Sequence, residues 1–155
     1  MRRFITVLAL AAISTGCEGG EPAQDEEEGP TQAQRDTMAM AAEAYDPAAY
    51  DTITWDSLGA AIERGQVVYQ YSCQKCHGAD GAGEAGFVRG GDTLRPPSFA
   101  APDWELADDT AGIREQVFVG TAESMPHWGL AGLPPRDIEA VSIYILETMR
   151  PDEGG

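Results

Sequence analysis

The sequence predicts a single all-α domain of few helices behind a long polar N-terminal segment. Three observations support this. Apolar residues recur at helical spacing in three separate stretches, and no stretch sustains the apolar/polar alternation of a half-buried strand. Gly and Pro gather between those stretches, above all between residues 78 and 109, where long loops are expected. A chain of 155 residues holds one ordinary domain, and its first third is too polar to build a second core.

Residues 1–16 carry Arg2 and Arg3, an apolar run from Phe4 to Ile13, and then Ser14-Thr15-Gly16 before Cys17, the layout of a secretory signal. A membrane-spanning helix needs roughly 20 apolar residues, about twice the length of this run. Small residues followed directly by Cys17 resemble the signal of bacterial lipoproteins, although Ser14 stands where Leu is commoner. The resemblance implies cleavage before Cys17 and lipidation of its sulfur. Acyl chains contribute roughly 0.8 kcal/mol per buried methylene, enough for several on one residue to hold a domain at an exported membrane face, towards the periplasm or cell exterior.

Residues 17–56 read as the lipidated Cys, an acidic tether and an aromatic docking segment. From Glu18 to about Arg35 there are two Pro, three Gly, a four-residue acidic run and no apolar periodicity. A flexible chain of about 35 residues has a root-mean-square reach on the order of 30 to 35 Å. An Ala-rich stretch up to Tyr45 suits a short helix ended by Asp46-Pro47. Tyr45, Tyr50 and Trp55 are docking groups, either onto this domain or onto a partner subunit.

The folded unit is expected over residues 57–150. Leu58, Ile62 and Tyr69, with Gln66 or Val67 between them, share helical spacing and predict a helix from Ser57 to Ser72. Ile113 and Val117 predict a second helix over Thr110 to Val119, with Asp108 or Asp109 to cap it and Gly120 to end it. Ile138, Val141, Ile145 and Met149 form the clearest stripe, over Pro135 to Arg150, with Asp137 and Glu139 in the first turn and Pro151 as a stop.

Immediately after the first of these helices stands Cys73-Gln74-Lys75-Cys76-His77, a Cys-x-x-Cys-His sequence that marks covalent attachment of c-type haem. Two thiols one helical turn apart can add to the two vinyl groups of a porphyrin, and the adjacent imidazole then projects toward the iron as proximal ligand. A thioredoxin-type dithiol would follow a strand, and none is expected before Cys73. A structural zinc site needs four ligands, and beyond this motif the domain offers only His127. A local disulfide would leave His77 without a role. Of three Cys in the chain, lipid accounts for Cys17 and haem for Cys73 and Cys76.

A sixth iron ligand has two candidates, Met125 and His127, in the segment from Gly120 to Trp128. Met125 lies in a polar loop, not on an apolar helical stripe, and Pro126 stiffens the backbone beside it. Arg89 and Arg95, the basic residues of the long loop, are candidates for a haem propionate or for solvent-exposed charge balance. Trp104 and Trp128 read as core or cavity packing.

Residues Leu58 to Met149 resemble the class I cytochromes c. Arg64-Gly65-Gln66-Val67-Val68-Tyr69 is similar to that family's first helix, in which a Gly lets the last helix cross closely and an aromatic packs beside the haem. Gly78-Ala79-Asp80-Gly81-Ala82-Gly83 is similar to its Gly-rich loop, Gly120 with Met125-Pro126 to its distal Met loop, and Ile138 to Leu146 to its final helix. Pro96 or Pro97 corresponds to the Pro that supports the proximal His. The resemblance implies a few helices wrapped round one covalent haem c, with His77 proximal, Met125 distal and His127 at the haem edge.

With both axial positions filled, the implied activity is single-electron transfer by a carrier, not catalysis. The alternative is a haem-based catalytic or gas-sensing protein with an open iron position. Lipid-type signal, tether and one haem domain together look like the monohaem cytochrome c subunit of bacterial alternative complex III, which implies other subunits of a respiratory complex as partners and electron flow toward a terminal oxidase. A formal charge of −16 argues against nucleic acid as a partner and suits a basic redox protein.

Overall fold

The computed structural model describes residues 29–84, 86–89 and 91–150. The expected signal sequence, Cys17 and the acidic run fall outside the described residues.

Helix α1, Gln32–Ala44, begins where the sequence reading still expected tether. A capping box sets its start. Thr31 Oγ1 accepts from the Gln34 amide at 3.3 Å, and Gln34 Oε1 accepts from the Thr31 amide at 2.7 Å. Asp46 then caps a single 3₁₀ turn, Pro47–Tyr50. Helix α2, Leu58–Ser72, is capped by Ser57 Oγ on the Ala60 amide and runs directly into the one-turn helix α3, Gln74–His77. Helix α4, Thr110–Val119, is capped by Asp109 and stopped by Gly120, whose φ of 70° favours glycine. Helix α5 starts at Pro135, where the missing N–H costs nothing, and ends at Tyr144. It continues as one wider π turn, Ile145–Met149, which keeps Ile145 and Met149 both buried.

One departure from an all-helical reading lies in the long loop. Strand β1, Phe87–Arg89, pairs antiparallel with β2, Asp92–Leu94, in the register Phe87 to Leu94, Val88 to Thr93 and Arg89 to Asp92. Each strand has three residues, too few for a period of two to stand out in sequence. The hairpin packs against α3, with the Lys75 ammonium 4.7 Å over the Phe87 ring.

The core forms where α2 crosses α5. Tyr69, Ile138, Val141 and Ser142 are completely enclosed, and the Ser142 hydroxyl donates to the Ile138 carbonyl at 2.8 Å. Gly65 makes this crossing possible: a Cβ there would stand 2.1 Å from the Ala140 carbonyl oxygen and 2.5 Å from Tyr144 Cβ. The start of α5 is clasped on two sides. Arg64 of α2 forks onto Asp137 at 2.8 and 2.6 Å, and Arg114 of α4 forks onto Glu139 through its Nε and its Nη2. Both carboxylates are largely buried, so the paired geometry offsets a desolvation penalty that either charge would suffer alone.

The aromatic segment ahead of α2 packs on this domain. Ala41 and Tyr50 are buried, Tyr45 lies 5.4 Å from the Phe118 ring and 6.0 Å from Tyr50, and the Arg136 guanidinium sits 4.0 Å over Trp55 while donating to the Thr54 carbonyl.

Gly65→Ala is expected to destabilise the domain by at least ~3 kcal/mol, the upper end for overpacking, because the obstructing atom is backbone. Guanidinium unfolding of the purified variant measures this, and a midpoint equal to wild type would contradict the close crossing.

Candidate haem-binding site

The site is built on the junction of α2 and α3. The Cys73 amide closes α2 on the Tyr69 carbonyl at 2.9 Å, and the amides of Cys76 and His77 turn back onto the Cys73 carbonyl at 3.1 and 3.0 Å. One tight turn therefore presents two thiols and an imidazole. Tyr69 lies behind this turn, 5.6 Å from Tyr144, and its hydroxyl donates to the Gly78 carbonyl at 2.7 Å. The chain then leaves through a loop of glycines with positive φ. Gly83 donates to the His77 carbonyl at 3.0 Å, and its α-carbon is pressed against the Pro96 carbonyl so closely that a Cβ would lie 2.1 Å away. Pro96 thus supports the backbone of His77 through Gly83.

Cys73, Cys76 and His77 line one cavity of about 1240 Å³. That exceeds the roughly 300 to 1,000 Å³ of most small-molecule sites and suits a large, flat, mostly apolar group. Its walls come from α4 through Ile113 and Val117, from the loop before α4 through Phe99 and Trp104, and from the segment after α4 through Met125 and Trp128. Met125 is held in place by Thr121, whose hydroxyl accepts from the Met125 amide at 2.9 Å and whose amide donates to the Met125 carbonyl at 3.0 Å. His127 also lines the cavity, with Nδ1 against the Val119 carbonyl.

Electrostatics suit a neutral ligand set. Burial pushes the His77 pKa down to about 4, so its ring stays neutral and able to coordinate at ordinary pH. His77 Nδ1 is buried and has no hydrogen-bond partner among the described residues. An unsatisfied buried nitrogen costs about 1 to 3 kcal/mol, a penalty that a bound group in the cavity can offset. Burial, with Cys76 adding to it, pushes the Cys73 thiol up to about 12, which disfavours a free reactive thiolate. Among the described residues Cys73 and Cys76 are not joined in a disulfide, and no group of three or more His, Cys, Asp or Glu comes together as a zinc site would require. The chemistry of this donor set fits a covalently held porphyrin better than a dithiol or a zinc ion.

A family model described as cytochrome c oxidase, cbb3-type, subunit III matches residues 60–145, the stretch that carries both the attachment turn and Met125. The chain belongs to that family. Among curated relatives, the cbb3-type cytochrome c oxidase subunit CcoP of Rubrivivax gelatinosus is 29% identical over 86 residues, and that of Azospirillum brasilense is 28% identical over the same length. Each match takes in 56% of this chain but only 25% and 28% of the two relatives. No solved structure matches the chain. Membership of this cbb3-type subunit III family makes the domain a cytochrome c, for which haem is bound covalently.

Other residues singled out in the sequence take varied places in this cytochrome c domain. Arg95 lines the cavity, with Nη1 donating to the Glu84 carbonyl at 2.8 Å, while the side chain of Arg89 falls outside the described residues. Two participants were not singled out from the sequence. Phe99 stacks on the His77 ring at 4.8 Å and 19° and meets Trp104 at 5.0 Å, yet in sequence it is a lone aromatic after two prolines. Gln116 on α4 reaches the Met125 sulfur. Only the helical offset of Gln116 from Ile113 and Val117 hinted that it faces inward.

Phe99→Ala removes the ring beneath His77 and is expected to cost ~3 to 5 kcal/mol of folding stability, with Phe99→Leu costing less. Urea unfolding of both variants checks the order.

Proposed function

We propose that this chain is a single-haem electron carrier in which Cys73 and Cys76 hold haem c through thioethers, His77 is the proximal iron ligand and Met125 the distal one. The observation that carries the reading is that the Cys-x-x-Cys-His turn and the loop bearing Met125 line the same large cavity. When bound, the haem supplies a one-electron ferric/ferrous couple. His77 contributes a neutral imidazole and Met125 a thioether, a pairing that favours a higher reduction potential than two histidines. Ile113, Val117, Phe99 and Trp104 line the cavity with apolar surface that would exclude water from a bound haem and lower the local dielectric. With both axial positions taken by protein, the chain needs no acid, base or nucleophile, which sets it apart from a haem enzyme or gas sensor.

The domain serves as a subunit of a respiratory assembly, held at the exported face of a membrane by lipid on Cys17 after removal of residues 1–16, with the following acidic stretch as tether. The names of the CcoP relatives favour a terminal oxidase as the destination of its electrons. The arrangement of lipoprotein-type signal, tether and one haem domain favours a quinol-oxidising assembly of the alternative complex III kind as their source. Among the described residues, no helix is long and apolar enough to cross a membrane.

Optical spectra of the protein expressed in membranes test the ligand set. Wild type is expected to show sharp reduced haem c bands, haem retained through denaturation, and a weak near-infrared sulfur-to-iron band when oxidised. Met125→Ala is expected to lose that band and to bind carbon monoxide readily once reduced. A wild type without the band that already binds carbon monoxide would replace the carrier reading with catalysis or gas sensing.

A further inference from the structure

Gln116 sits on α4 one turn before Gly120, and its side chain enters the cavity. Its Nε2 lies 3.3 Å from the Gly120 carbonyl oxygen and 3.8 Å from the Met125 sulfur. The orientation of the amide follows from chemistry. A carbonyl oxygen only accepts, so the NH₂ end of Gln116 must face Gly120, and the same NH₂ has a second hydrogen to offer the thioether, itself a weak acceptor.

The surrounding backbone leaves this contact little freedom. The Gly120 amide closes α4 on the Gln116 carbonyl at 2.8 Å, and a Cβ on Gly120 would lie 2.5 Å from the carbonyl oxygens of Met125 and Pro126. Thr121 fixes both the amide and the carbonyl of Met125. Main-chain contacts therefore determine where Met125 starts, but not where its flexible, unbranched side chain ends. The described polar contact to the sulfur itself comes from Gln116.

Resting on the reading of Met125 as distal ligand, we infer that Gln116 is a positioning residue for that ligand. Its N–H selects the side-chain rotamer that aims sulfur into the cavity and draws electron density from the sulfur. A donor directed at a ligand atom weakens that ligand's donation to the metal, and the positive end of its dipole disfavours the more highly charged ferric state. Gln116 thus raises the reduction potential, and because the N–H···S contact exists only while the sulfur lies in the cavity, the bond lost on its departure opposes replacement of the thioether by external ligands.

The test compares full-length wild type with Gln116→Leu, which has no donor, and Gln116→Glu, which keeps the length but presents oxygens. Redox titration, the near-infrared sulfur-to-iron band and imidazole binding to the oxidised protein are the readouts. The potential is expected to fall in Q116L and further in Q116E, and the band to shift or weaken in both. Imidazole affinity is expected to rise about fivefold in Q116L, the factor equivalent to a net hydrogen bond of about 1 kcal/mol. A structural role alone would lower the unfolding midpoint while leaving potential, band and imidazole affinity at wild-type values, and that result would overturn the inference. A wild type lacking the band would remove the ligand reading and this inference together, whereas a wild type with the band and insensitive variants removes the inference alone.

Discussion

The close approach of α2 and α5 at Gly65 is the constraint on which the remaining structure depends. With the Ala140 carbonyl lying where a Cβ would stand, the two helices meet backbone to backbone, and this brings Tyr69, Ile138 and Val141 into a single enclosed core. Because α2 passes straight into the turn carrying Cys73, Cys76 and His77, the crossing also fixes where that turn faces. The first two turns of α5 carry Asp137 and Glu139, which reach α2 through Arg64 and α4 through Arg114. One helix end thereby sets the distance between two walls of the cavity. Forked arginine pairs serve this better than apolar contacts, since their planar geometry specifies direction as well as proximity.

Between those walls, close glycine contacts hold the loops. Gly81 and Gly83, after the attachment turn, lie against Phe99 and Pro96, and Gly120, at the end of α4, lies against Met125 and Pro126. At Gly83 and Gly120 the neighbour is backbone and at Gly81 it is the Phe99 ring, and in each case a side chain on the loop would not fit, so the loops inherit the rigidity of what they contact. A cytochrome c domain benefits from such stiffness. Electron transfer is favoured when the ligand atoms change position little between oxidation states, and the ligands proposed here come from a helical turn and a doubly pinned loop.

The legible parts of the sequence were those with redundant local signals. An apolar stripe marks α2, α4 and α5, joined in α4 by the Asp109 cap and the terminating Gly120, and the observed ends lie within a residue of expectation, apart from the π turn that closes α5. The start of α1 was missed because the capping pair Thr31 and Gln34 follows a strongly acidic, Gly- and Pro-bearing stretch whose composition dominated the reading. The hairpin was missed because three-residue strands carry no periodicity. At the site, Cys73, Cys76 and His77 announce themselves by spacing, and Met125 by its loop context. Phe99 and Gln116 do not, because stacking on an imidazole or donating to a thioether is a property of three-dimensional placement that neither residue type encodes locally.

The segment ahead of α2 lies outside the region shared with the family model, which begins at residue 60, yet it bears on the α4 side of the cavity. Tyr45 rests on Phe118, and the ring of Phe118 lies so flat against Gly129 that a Cβ there would stand 2.4 Å from it. Gly129 in turn donates its amide to the Phe118 carbonyl at 3.1 Å, immediately after Met125-Pro126-His127-Trp128. The end of α1 therefore buttresses the loop that bears the proposed distal ligand. Under the proposed anchorage through Cys17, tension along the tether would be taken up first by α1 and its contact with α4, not by α2 and the attachment turn.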